Sequence, residues 1–144
     1  MSIEFDARTA RVVRFYEHLS PAALADLGEV YSENARFKDP FNDVQGLANI
    51  AKVFHHMFDT VNAPRFEVLS TLTQGDEAWL TWDFIIQRPK EEWRLHGATR
   101  LQYAADGRIM LHRDYWDPAE ELYARLPVLG PMVRWLTRRL SASA

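Results

Sequence analysis

Apolar residues recur along this chain at two spacings, and the change between them near Pro64 divides its elements into two groups. Before that point the spacing is helical. Val12, Tyr16 and Leu19, with Val13 and Phe15 beside them, predict a helix from Asp6 to Leu19. Ser20-Pro21 supplies an N-cap and a proline suited to a first helical position. Leu24, Leu27, Val30 and Tyr31 then share one side of a second helix ending near Tyr31. Ala35 to Asp39 reads as a short strand, with Ala35, Phe37 and Asp39 on one face and Arg36 and Lys38 on the other, stopped by Pro40. After Gly46, the stripe Leu47, Ile50, Ala51, Phe54, Phe58 and Val61 predicts a long amphipathic helix.

From Pro64 onward the period is two. Strands are predicted at Phe66–Leu72, Ala78–Gln87 and Trp93–Tyr103, separated by turns at Gln74-Gly75-Asp76, Arg88–Glu92 and Ala104–Gly107. A last strand follows from Gly107 to Asp117. Helices followed by a meander of long strands make an α+β fold, in which N-terminal helices pack on a curved, mainly antiparallel sheet. Such a sheet curled around the long helix leaves a conical cavity. Beyond Asp117-Pro118 a short helix to about Leu126 precedes Pro127–Leu140, where Leu129, Met132, Trp135 and Leu136 are interspersed with Arg134, Arg138 and Arg139. A basic amphipathic tail can touch a membrane or a partner. The expectation here is packing on its own domain or on a dimer mate rather than membrane contact.

Strand alternation gives the last strand two faces: Ile109, Leu111, Arg113 and Tyr115 on one, Met110, His112, Asp114 and Trp116 on the other. The second set places a histidine and a carboxylate between apolar side chains. Burying charge costs several kcal/mol unless it is paired or neutralised, so this pattern points to a site. Asp83, mid-strand on a face with Trp79 and Thr81, is either paired with an arginine or functional. If Asp83 and Asp114 shared a cavity, repulsion and burial would separate them into an acid and a base. His112 is a proton shuttle or a hydrogen-bonded buried histidine. Tyr16, on the core stripe, is a structural tyrosine or a donor into the cavity, and Asp39 is a base or a turn former. His55 and His56 read as solvated or half-buried helix histidines rather than metal ligands.

Composition narrows the field without naming a reaction. The 144 residues carry a formal net charge of −3 and are 47% hydrophobic, as expected of one globular domain with no electrostatic footprint for nucleic acid. No cysteine is present, which removes disulfides and thiolate metal ligands. The acidic opening Met-Ser-Ile-Glu-Phe-Asp lacks a signal-peptide core, and no apolar run reaches a membrane span. The expected location is cytoplasmic.

Two motifs carry a resemblance, over roughly residues 6 to 126, to the nuclear transport factor 2-like, or SnoaL-like, superfamily. Tyr31-Ser-Glu-Asn-Ala-Arg-Phe-Lys-Asp39-Pro-Phe, followed by Gly46, is similar to a segment of ketosteroid isomerase. That likeness implies Asp39 as general base and Tyr16 as oxyanion donor, with Thr99 where that family has a second donor, an aspartic acid. His112-Arg113-Asp114-Tyr115-Trp116-Asp117, after Gly107-Arg108-Ile109, resembles the closing strand of limonene epoxide hydrolase. It implies Asp114 as the base and Asp83 as the acid, with Thr81 at the position of a bridging arginine and Phe37 and Asp39 at water-positioning sites. The resemblance implies a cystatin-like cone, often dimeric. The resulting expectation is a cofactor-independent, metal-free isomerase, cyclase or epoxide hydrolase for a small apolar molecule. Asp114 leads, supported by Asp83, His112, Asp39 and Tyr16. Phe37, Phe54, Phe58 and Trp116 wall the pocket, and Thr81 and Thr99 offer hydrogen bonds. A non-catalytic binder of an apolar ligand and a homodimeric interaction module are the alternatives.

Overall fold

A computed structural model describes residues 5–127 and 129–141. The chain runs α1 (Ala7–Glu17), a 3₁₀ turn (Ala22–Asp26), α2 (Leu27–Val30), β1 (Tyr31–Lys38), β2 (Asp43–Gln45) and α3 (Leu47–Thr60). It continues through β3 (Arg65–Gln74), β4 (Glu77–Gln87), β5 (Glu92–Tyr103), β6 (Ile109–Tyr115), α4 (Pro118–Glu121), a second 3₁₀ turn (Tyr123–Arg125) and α5 (Leu129–Leu140). The strands form one sheet in the order β2-β1-β6-β5-β4-β3. Every adjacent pair is antiparallel except β1 and β6, which run parallel. This is the α+β arrangement of helices on a curved, mainly antiparallel sheet.

Local chemistry sets the helices. Asp6 caps α1 by accepting from the Arg8 and Thr9 amides at 2.9 and 3.2 Å. Val12 and Tyr16 then turn inward, and Ile50 and Phe54 do the same from α3, all of them buried in one core. Asp117 caps α4 through the Ala119 amide, with Pro118 in the first turn. Breaks in pairing register at Val68/Ser70, Tyr31/Arg36 and Gln102/Tyr103 mark bulges, which bend the strands around α1 and α3.

The sheet departs from the sequence reading in three places. Tyr31 satisfies the helical spacing of Leu27 and Val30, yet it opens β1 and pairs with Ile109 of β6. The second helix is thus reduced to a 3₁₀ turn and a single α-turn. The short strand β2 has no apolar alternation to betray it and exists by pairing Val44 with Phe37. A bulge at the start of β6 buries Ile109 completely and leaves Met110 44% exposed, the reverse of plain alternation. No helix among the described residues is long and apolar enough to cross a membrane.

Candidate active site

Between the helices and the concave face of the sheet lies a cavity of about 440 Å³. Its wall is largely aromatic: Phe37, Phe54, Phe66, Trp82, Phe84 and Trp116 all line it. Asp39, just past the end of β1, and Trp116, just past the end of β6, place its mouth where those two strands finish, with Phe41, His56 and Leu122.

One polar track crosses this apolar wall. The Trp82 indole N–H donates to Thr99 Oγ1 at 2.7 Å, and Thr99 donates to Asp114 Oδ1 at 2.6 Å. His112 Nε2 lies 2.6 Å from the same oxygen, and its Nδ1 lies 2.8 Å from the Tyr31 hydroxyl and 3.3 Å from that of Tyr16. The two tyrosine hydroxyls also contact each other. Donor counting orients the whole track. Indole only donates, so the Thr99 proton is free for Asp114. A carboxylate only accepts, so His112 donates from Nε2 and accepts from Tyr31 at Nδ1. Burial, first, then the neighbouring Tyr31 and Asp114 charges, hold the Tyr16 phenol well above its ordinary range. Burial does the same for Tyr31, where the bond with Tyr16 acts downward. That split fits Tyr16 as donor and Tyr31 as acceptor. Both phenols stay protonated at neutral pH.

The result is a buried histidine, stacked on Phe37 at 4.5 Å between ring centroids, pointing at a carboxylate with one oxygen doubly engaged. Asp114 Oδ2 receives no hydrogen bond from the described residues. It is not a buried orphan either, since no buried side-chain oxygen lacks a partner. It therefore keeps accessible surface, and Asp114 lines both the cavity and a shallower pocket beside its mouth with Lys38, Arg113 and Asp117.

The other expected residues fall in several places. Tyr16, Phe37, Phe54, Thr99, His112, Asp114 and Trp116 line the cavity. Phe58 packs against the core from α3 without reaching the cavity. Asp39 lies at the mouth, but its carboxylate closes a turn: Oδ1 accepts from the Phe41 and Asn42 amides at 2.8 and 2.7 Å, and the Asn42 side chain binds both oxygens. Asp83 and Thr81 do not join the site. The inner face of β4 is the one bearing Leu80, Trp82, Phe84 and Ile86, so Asp83 and Thr81 alternate to the outer face. There Asp83 binds His96 Nδ1 at 3.0 Å and Arg94 at 3.4 Å, and Thr81 bonds Ser70. The expectation of paired carboxylates in one cavity is corrected accordingly. His55 and His56 are both exposed, and His56 also reaches the mouth.

Sequence reasoning missed Tyr31, Trp82 and Gly97. A Cβ at Gly97 would overlap the Trp82 ring atoms, so this glycine lets the indole lie flat on β5 and reach Thr99. A glycine inside a strand pattern is the signal for such a close approach. Among the described residues, no group of three or more His, Cys, Asp and Glu side chains converges as a metal site.

Comparisons agree with this architecture. A protein with a ketosteroid isomerase-like fold from Catenulispora acidiphila, solved with trimethylamine, superposes with a TM-score of 0.69 at 13% identity, covering 83% of this chain and 92% of its own. An epoxide hydrolase of the LEH-like kind from M. tuberculosis gives 0.63 at 13% identity, covering 79% and 83%. A protein from Agrobacterium tumefaciens, assigned as an isomerase of the SnoaL-like family, gives 0.65 at 18% identity, covering 76% and 94%. These likenesses concern the fold. No curated protein matches the sequence. Residues 12–112 match the SnoaL-like domain, and the chain belongs to that family.

Proposed function

We propose that this protein catalyses proton transfer on a small, largely apolar molecule held in the cavity, with Asp114 as the general base. The observation that carries the reading is the asymmetry of Asp114. Thr99 and His112 fix Oδ1, while Oδ2 accepts no hydrogen bond from the described residues on a side chain that lines a largely apolar cavity. A carboxylate oriented in this way meets a C–H or O–H proton at hydrogen-bond reach without first shedding a full hydration shell. His112, whose Nε2–H supports the carboxylate, is a positioning group. Tyr16 lines the cavity but gives its one proton to Tyr31, so it acts by holding the Tyr31–His112 pair in place.

With Asp83 on the outer face, the acid half of a two-carboxylate epoxide opening is missing. One base that takes a proton and returns it elsewhere on the same molecule suits isomerisation or cyclisation better. Asp39 is a weaker candidate for the base, because its turn already occupies both oxygens.

The test is proton exchange. The protein is incubated in deuterated water with a panel of apolar ketones bearing acidic α-hydrogens, and deuterium uptake is followed by NMR. Exchange catalysed by the native chain and lost in Asp114→Asn supports the reading. Ligand binding with no exchange, unaffected by that substitution, would overturn it and leave a carrier of apolar ligands.

A further inference from the structure

Helix α5 is the least covered element of the fold. Among its described residues only Gly130 is buried. Leu129, Met132, Leu136 and Leu140 recur at three- and four-residue spacing and form a stripe that is 39, 54, 46 and 85% exposed, with Trp135 at its edge. A 12-residue helix is marginal without tertiary cover. Something therefore has to receive this stripe.

Charge says what. Beyond Glu121 the chain has arginines and no acidic residue. Arg134 and Arg138 lie opposite the stripe, and Arg139 flanks it with its guanidinium 5.2 Å from the Trp135 ring centroid. Among the described residues none of these three arginines is ion-paired. A second copy is poorly matched to this surface. The exposed aromatics on the outer face of the sheet, Trp79 and Tyr115, stand beside Arg113 and an Arg100 already paired with Glu77, so that patch offers the arginines of α5 no unpaired carboxylate. An apolar stripe bordered by tryptophan and backed by arginines has the layout of a helix lying in a bilayer interface, its apolar side at acyl depth and its cations at the phosphates.

We infer that α5 seats the protein on an anionic lipid bilayer. Its attachment places that contact beside the cavity. Leu122 lines the mouth, and the segment after it is tied to α5 by the Arg134 guanidinium on the Ala124 carbonyl and by the Gly130 amide on Leu126 O at 2.7 Å. Docking would bring the mouth next to the phase in which apolar substrates concentrate. The inference concerns binding alone and stands or falls separately from the chemistry at Asp114.

Flotation of the full chain with phosphatidylcholine vesicles, with and without phosphatidylglycerol, tests it. The expected result is flotation only with phosphatidylglycerol, declining as sodium chloride is raised. Arg138→Gln with Arg139→Gln should weaken partition roughly thirtyfold, at about fivefold per arginine. Met132→Ser with Leu136→Ser should also reduce flotation, while thermal melts stay unchanged because the stripe is off the core. A blue shift in tryptophan emission on adding these vesicles should disappear in Trp135→Phe. Equal flotation on both vesicle types, no flotation, or a dimer in light scattering that the serine variant dissociates would each overturn the proposal.

Discussion

One oxygen of Asp114 is occupied and the other is not, and that difference decides which substitutions can be read cleanly. In Asp114→Asn the amide oxygen still accepts from Thr99 and His112, so the track keeps its geometry while the base is gone. Exchange activity should fall by roughly 10²–10⁴-fold with ligand affinity and melting temperature little changed. A loss of affinity equal to the loss of rate would instead make Asp114 a binding group. The two tyrosines invite a double-mutant cycle. Tyr31→Phe removes the donor at 2.8 Å from His112 Nδ1, but Tyr16 lies 3.3 Å from the same nitrogen and can take its place. Removing both leaves a buried acceptor unpaired, which costs about 1–3 kcal/mol. The double variant should therefore lose more stability in urea than the two singles together, by about 1 kcal/mol or more. Strict additivity would mean that Tyr16 never serves His112.

At the level of elements, β4 and β5 are built around one missing methyl group. Trp82 stands opposite Gly97 in register, and the indole occupies the space that a side chain there would need. Gly97→Ala should cost about 1–3 kcal/mol by overpacking and should push the indole away from Thr99. It would loosen Asp114 as well, so a drop in exchange rate larger than that of a remote variant of equal stability is expected. How far the elements were legible follows from how each announces itself. The α3 stripe and the alternation of β4 and β5 were readable because burial repeats with the period of the backbone. So were His112 and Asp114, as ionisable groups between apolar neighbours. Met110 was misplaced because a bulge shifts the alternation by one residue, and bulges leave no periodic mark. Asp83 stood out as a charge in an apolar strand, but the sequence shows apolar residues on both of its faces, and only the sheet decides which one meets the cavity. Tyr31 was hidden by fitting the wrong period well, since helix spacing and a strand start coincide there.

Across the whole molecule, the tyrosine–histidine–aspartate track joins α1, β1 and β6, so its protonation belongs to the fold as much as to the site. Burial holds the Tyr16 and Tyr31 phenols well above their ordinary range in the folded state, whereas the unfolded chain releases these protons near pH 10. Above that pH the unfolded state binds fewer protons than the folded one, so stability falls as pH rises. Below about pH 9 both states are protonated at these positions, and their contribution is constant. Urea unfolding midpoints measured from about pH 8 to 11 should be level with respect to these groups at first and then decline. Over the same range, absorbance at the phenolate band should show Tyr16 and Tyr31 ionising only together with unfolding. The variant carrying Tyr16→Phe and Tyr31→Phe starts less stable, for the reason given by the unpaired histidine nitrogen, yet it has fewer protons to lose on unfolding. Its midpoint should therefore decline less steeply with pH than that of the native chain. An equally steep decline in both proteins would place the alkaline sensitivity elsewhere and detach the track from the stability of the fold.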